Sequence, residues 1–161
     1  MIEFEKWNAS APENVFMREA YWEALRGVEA GDGGPFGAVV VKDGRIVGMG
    51  HNRVLKKRDP TCHGEMEAIR ATCRNLQTHD LSGCEIYTTG YPCPMCFCAI
   101  RWANIEKVYY GCNTTDTELI GFRDRLFEES LEQAKVDMCV EVDREACLKV
   151  YEWFSTQPRL Y

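Results

Sequence analysis

The sequence predicts a layered α/β domain, and three observations carry that prediction. Apolar residues recur at helical spacing in some segments and at strand spacing in others, and the two kinds alternate through the middle of the chain. An Asp43-Gly44 dipeptide between two short β-branched runs marks a tight hairpin. With 161 residues, 45% hydrophobic and 27% charged, the chain suffices for one domain, 1–161, with a full core, and no repeat or low-complexity linker divides it.

Taken in order, residues 13–30 carry Met17, Ala20, Tyr21, Ala24 and Val28 on one helical face, and the glycine-rich Gly31-Asp32-Gly33-Gly34 ends that helix. Residues 38–41 and 46–50 are the hairpin strands. Residues 64–76 place Met66, Ile69, Cys73 and Leu76 on one face and read as a helix. A strand at 84–89, a helix at 94–103 and a strand at 107–111 follow. Beyond them, 125–134 reads as a short helix. The alternation of Val136, Met138, Val140 and Val142 predicts an edge strand over 136–142, and 144–155 predicts a last helix. The tail 156–161 ends in Leu160 and Tyr161, apolar enough to dock.

Composition bounds the partners. Met1 to Pro12 holds Glu3, Glu5, Lys6 and Asn8 without a long apolar run, so no secretory leader is expected, and no later stretch is apolar enough for a bilayer. Nine cysteines, an odd number, without such a leader fit a cytoplasmic chain with a metal site better than a disulfide framework. Nineteen basic against twenty-five acidic residues give a net charge of −6, whereas binding to nucleic acid generally rests on a basic footprint. The dense basic run Lys56-Lys57-Arg58 is short and reads as a solvated loop, so a small neutral substrate is favoured.

Two motifs carry the chemistry. Residues 59–69 read Asp-Pro-Thr-Cys-His-Gly-Glu-Met-Glu-Ala-Ile, and residues 90–96 read Gly-Tyr-Pro-Cys-Pro-Met-Cys. Together they form His-x-Glu followed by Pro-Cys-x-x-Cys, the signature of zinc nucleobase deaminases. Cys93 and Cys96 share a helix face, Pro94 suits the first helical turn, and the positive end of the helix dipole favours thiolates. His63 adds a nitrogen ligand, a donor mixture suited to zinc that leaves a fourth position for an acidified water. Glu65, two residues after His63, can serve the same site only near a helix terminus, and Thr61 is a candidate cap there. Glu65 would move protons from the water to the ring nitrogen and then to the leaving amine. A structural zinc closed by Cys62 or Cys98 is the competing reading, although Cys98, two residues past Cys96, lies off the shared helix face and Cys62, next to His63, points its side chain elsewhere. Cys73, Cys84, Cys112, Cys139 and Cys147 read as buried small hydrophobes, and His51 and His79 as surface or hydrogen-bonded residues.

On these two motifs the chain resembles the cytidine deaminase-like zinc deaminase superfamily over roughly residues 15–125. The resemblance implies a three-layer α/β/α fold with a five-stranded mixed sheet and zinc held at the N-termini of two helices. Further elements resemble the small bacterial guanine deaminases: 33–38 (Gly-Gly-Pro-Phe-Gly-Ala), 50–52 (Gly-His-Asn), 59–61, 92–96, and Thr115-Asp116 before Gly121-Phe122. That likeness implies Phe36 stacked on a purine, Asn52 and Asp116 on its edge, and Tyr161 near the base on a tail that closes the pocket. It also implies a homodimer, with the tail exchanged between subunits. Each of the first three has a structural alternative: Phe36 in the core, Asn52 capping a turn, Asp116 capping a helix. The sequence departs from the family pattern at Tyr91, where Glu is common, and at Gly64, where Ala is common. The expected reaction is guanine plus water to xanthine plus ammonia. Another aminopurine, guanosine, an amino-triazine or a tRNA adenosine are alternative substrates, and a non-catalytic zinc module is the alternative of a different class.

Overall fold

The computed structural model describes residues 7–157, and the chain divides into two compact units, Met1–Glu128 and Glu129–Tyr161. The first unit contains α1 (Val15–Glu29), β1 (Gly37–Lys42), β2 (Arg45–His51), α2 (Val54–Lys57), α3 (Gly64–Leu76), β3 (Cys84–Gly90), α4 (Pro94–Trp102), β4 (Lys107–Cys112) and α5 (Thr114–Leu119). Helix α6 (Asp124–Met138) leads into the second unit, which also holds α7 (Arg144–Ser155).

The sheet has the order β2-β1-β3-β4, antiparallel except between β3 and β4. Asp43 and Gly44 both have positive φ, 49° and 70°, the conformation of the tight hairpin turn that an Asp-Gly pair favours. Successive residues of β1 serve opposite faces. Val39 and Val41 join Tyr87 and Ala20 of α1 in one cluster, while Ala38 and Val40 pack with Ile86 against Ala68 and Ile69 of α3 and Ile100 of α4. The first unit is therefore a three-layer α/β/α sandwich.

Two expectations need correction. The sheet has four strands among the described residues, not five: α6 continues to Met138, and 139–142 is exposed and irregular. The period-two alternation there is overridden by a helical stripe of Leu126, Phe127, Leu131 and Ala134 in a run of good helix formers. The Lys56-Lys57-Arg58 run is exposed, as expected, but it ends a short helix instead of lying in a loop, and two of its members are paired. Lys56 and Lys57 lie on α2, with Lys56 Nζ 3.0 Å from Asp32 and Lys57 Nζ 2.7 Å from Glu67, both nearly buried carboxylates.

Helices α6 and α7 have no buried residue, although they carry Phe127, Leu131, Trp153 and Phe154. No helix among the described residues is long and apolar enough to cross a membrane.

Candidate active site

The site is built where two helices begin. His63 is the N-cap of α3 and Cys93 the N-cap of α4; both have extended backbone, and neither makes a side-chain capping bond. Pro94 occupies the first turn of α4, where a missing N–H costs nothing, and places Cys96 one turn beyond Cys93. Because His63 is not yet helical, its side chain and that of Glu65 are free of the near-opposite directions that positions two apart take inside a helix. Thr61 is not the cap that the sequence suggests. Its N–H and hydroxyl both bond Asp59 Oδ1, at 2.8 and 2.7 Å, closing a turn just ahead of the helix.

His63, Cys93 and Cys96 offer donor atoms all within 4.8 Å of one another. His63 Nδ1 lies 3.6 Å from Cys93 Sγ and 3.5 Å from Cys96 Sγ. Zinc bonds of about 2.3 Å to sulfur and about 2.0–2.1 Å to nitrogen, at tetrahedral angles, separate such atoms by about 3.6 Å. The donor set and its spacing therefore fit zinc. Among the described residues the group has these three members and no fourth. Cys62 is turned to Asp59 and Arg70, at 3.3 and 3.5 Å, and Cys98 is exposed, so the closed structural site loses both of its candidates. Of the other cysteines Cys84 is buried and Cys73 half-buried, but Cys112, Cys139 and Cys147 are exposed, contrary to expectation.

The electrostatics follow from crowding three donors and a carboxylate. The Cys96 thiol donates to Cys93, which with His63 pulls the Cys93 thiol down to about 4 and holds Cys96 up. His63 is raised, chiefly by its bond to Cys93. Glu65 is 5% exposed, and its carboxyl is pushed up to about 7, by burial first and by the charge on Cys93, while bonds from its own backbone and Cys96 oppose the shift. A carboxyl poised near neutrality can both take and return a proton.

The base-binding candidates divide. Phe36 is half-buried and meets Phe122 edge-to-face at 4.7 Å, and its carbonyl accepts the Asn52 N–H at 2.8 Å. Asn52 is 3% exposed; its Oδ1 accepts the Val54 N–H at 3.2 Å, which turns its amide NH2 away from that bond. Gly33 makes this placement feasible, since a Cβ there would fall 2.0 Å from Asn52 Oδ1. A Cβ at Gly64 would lie 2.9 Å from the Phe36 carbonyl oxygen, so the departure at 64 lets α3 approach the Phe36 segment closely. Asp116 is exposed and its Oδ2 accepts the Asn113 N–H at 2.9 Å in a capping box of α5. Tyr91 packs edge-to-face on Tyr110 at 5.0 Å. Tyr161 and the end of the tail lie outside the described residues.

One carboxylate escaped the sequence reading. Asp124, which opens α6, is half-buried, and its carboxyl is raised by burial and by the charge on Cys93, with His63 opposing. An acidic residue opening a helix ordinarily complements the dipole, so nothing local distinguished it.

Comparison with known proteins agrees with this geometry. Residues 11–112 match the family described as the cytidine and deoxycytidylate deaminase zinc-binding region. Guanine deaminase of Bacillus subtilis is 44% identical over 119 residues, 74% of this chain and 76% of that protein. The tRNA-specific adenosine deaminase of Aquifex aeolicus is 46% identical over 99 residues, 62% of this chain and 65% of that protein. Among solved structures, the Bacillus subtilis guanine deaminase superposes with a TM-score of 0.83 at 36% identity, covering 93% of this chain and 98% of that one. A guanine deaminase from Nitrosomonas europaea gives 0.65 at 33%, covering 70% and 65%. Ligand set, three-layer fold and matched length together place the chain in the zinc-binding cytidine and deoxycytidylate deaminase family.

Proposed function

We propose that this protein deaminates free guanine, releasing xanthine and ammonia. The observation that carries the reading is the reach of the likeness to guanine deaminase, 93% of the chain, where a tRNA adenosine-34 deaminase structure covers 63% with a TM-score of 0.60. Lys56 and Lys57 point the same way, because two of the three cations in the densest basic run are paired with Asp32 and Glu67.

His63, Cys93 and Cys96 would hold the metal. When bound, zinc lowers the pKa of a coordinated water to about 7. The chain supplies the rest. Glu65 takes one proton of the attacking water as the C2–O bond forms and delivers it to the unprotonated ring nitrogen next to C2. It then carries the second water proton from the new hydroxyl to the amine, the C2–N bond breaks, the oxygen becomes a carbonyl, and the nitrogen leaves as ammonia. Phe36 stacks on the purine, and the Asn52 amide donates to an acceptor on its edge. For the acidic partner of the guanine donors, Asp124 is favoured over Asp116, because it senses the charges on Cys93 and His63 while Asp116 serves its cap.

The same reading assigns the tail 156–161, with Tyr161, to closure of the pocket, and a homodimer with exchanged C-terminal segments to the working enzyme. The apolar faces of α6 and α7, with Trp102 80% exposed, support a second copy as the covering partner. Cysteines without disulfides fit a cytoplasmic location. Ammonia release should be measured from guanine, guanosine, adenine, cytosine, amino-triazines and tRNA, with and without chelator. Release from guanine that the chelator abolishes is expected. Inosine formed in tRNA, with no release from any free base, overturns the reading. Unchanged guanine turnover after deletion of 157–161 removes the closure role.

A further inference from the structure

Between α1, the loop that follows it and the end of β2 lies a layer of charge that the proposed chemistry leaves unused. Glu23 of α1 and Asp32 of the following loop are 8% and 4% exposed, and His51, at the end of β2, stands between them. Its Nδ1 is 3.0 Å from Glu23 Oε2 and its Nε2 is 3.0 Å from Asp32 Oδ2. Each ring nitrogen thus lies within hydrogen-bond reach of a carboxylate oxygen, and the ring bridges the two acids. Arg26 also meets Glu23 from its own helix. Asp32 is met in addition by Lys56 Nζ at 3.0 Å and by Arg53 Nε at 3.7 Å.

Both sequence neighbours of Asn52, His51 and Arg53, thus converge on Asp32. Asp32 in turn opens the segment that carries Phe36. Its carbonyl accepts the N–H groups of Leu55 and Lys56, each at 3.1 Å, and Gly33 then abuts the Asn52 side chain. The segment 32–36 has no strand or helix ladder of its own and contains two glycines, so its order must come from such outside bonds. The Asp32 carboxyl is held below its ordinary value, first by the His51 bond and then by Lys56, in keeping with a charge on which the layer depends.

We propose that the Asp32–His51 pair is the positioning device of the base pocket: it clamps the segment 32–36 against β2 and α2, and so sets where Phe36 and Asn52 meet the base. The inference rests on the assignment of Phe36 and Asn52 to base binding. Neither Asp32 nor His51 touches the base. Their contribution is a pocket wall already ordered before substrate arrives, which spares the ordering cost that binding would otherwise meet.

An asparagine amide reaches about as far as Nδ1 of histidine and a glutamine amide about as far as Nε2. His51→Asn therefore keeps the bond to Glu23 and loses Asp32, while His51→Gln keeps Asp32. The test measures guanine kinetics on zinc-loaded proteins, with zinc content and amide hydrogen exchange of residues 32–36 recorded without substrate. For His51→Asn and Asp32→Asn, KM rises about tenfold with kcat within about twofold, and exchange of 32–36 accelerates at unchanged zinc content. His51→Gln recovers most of both losses. Equal behaviour of the Asn and Gln variants, or a lowered Tm with KM and exchange unmoved, overturns the positioning role. If the wild-type protein releases no ammonia from guanine, the functional reading fails separately, and the exchange comparison alone then decides the inference.

Discussion

The two units of the chain bury their apolar residues very differently. The unit Met1–Glu128 encloses Val39, Val40, Leu81, Ile86 and Ile100 at 2% exposure or less and carries every donor of the metal group. In the unit Glu129–Tyr161, Val150, Tyr151 and Trp153 are each more than 60% exposed. An amphipathic helix gains most of its stability from the surface its apolar face packs on. The first unit has the means to fold on its own core. The second has a stripe that asks for a partner. The lesson is that the metal donors and the exposed apolar faces lie in different units, so the metal group can be disturbed without touching those faces.

The sharpest disturbance falls on the first unit. Cys93→Ala removes a donor, and the expected result is loss of zinc by metal analysis together with loss of turnover. Glu65→Gln should keep zinc and lower kcat by about 10²–10⁴-fold. Zinc lost along with activity would show Glu65 to be a ligand instead of a proton carrier.

A change in the second unit should move assembly before chemistry. In an isolated copy, Trp153→Ser at 63% exposure costs within about 0.5 kcal/mol. As an anchor in a dimer it costs about 2 kcal/mol or more, seen as a rise of at least roughly thirtyfold in the dissociation constant by light scattering on dilution. A mass that corresponds to one chain at every concentration in the unaltered protein would break the comparison outright.

Smaller effects sharpen the picture of the first unit. Gly64→Ala sets a Cβ 2.9 Å from the Phe36 carbonyl, and the segment must give way. A loss of about 1 kcal/mol, at the low end for overpacking, and a raised KM are expected in thermal melts and kinetics. Asp32 supplies the pH dependence. Its folded pKa lies below the ordinary 3.8, so its stabilisation is complete above that value and is lost as pH falls through the folded pKa. Asp32→Asn should flatten the acid limb of a Tm-against-pH curve below 3.8 and leave its neutral region with the same slope.

Much of the first unit was legible because period and punctuation agreed. The β1–β2 hairpin followed from Asp43-Gly44 between β-branched runs, and α3 and α4 from the spacing that also sets His63, Cys93 and Cys96. What stayed hidden depends on contacts between distant segments. The pairing of the exposed Lys56 and Lys57 stayed hidden because Asp32 and Glu67 are 24 and 10 residues away. Asp124 looked like a routine helix opener because its burial, which raises its carboxyl, comes only with the fold. The period-two pattern at 136–142 misled because no sheet edge among the described residues takes it up, and Val136, Met138, Val140 and Val142 are each at least 68% exposed.

Gly33 also constrains Asn52. Any side chain at 33 would begin 2.0 Å from Asn52 Oδ1 and 2.8 Å from its carbonyl oxygen, so a residue other than glycine there requires both the Asn52 side chain and its backbone to move. In this arrangement, position 33 therefore decides where residue 52 can sit, whatever that residue does.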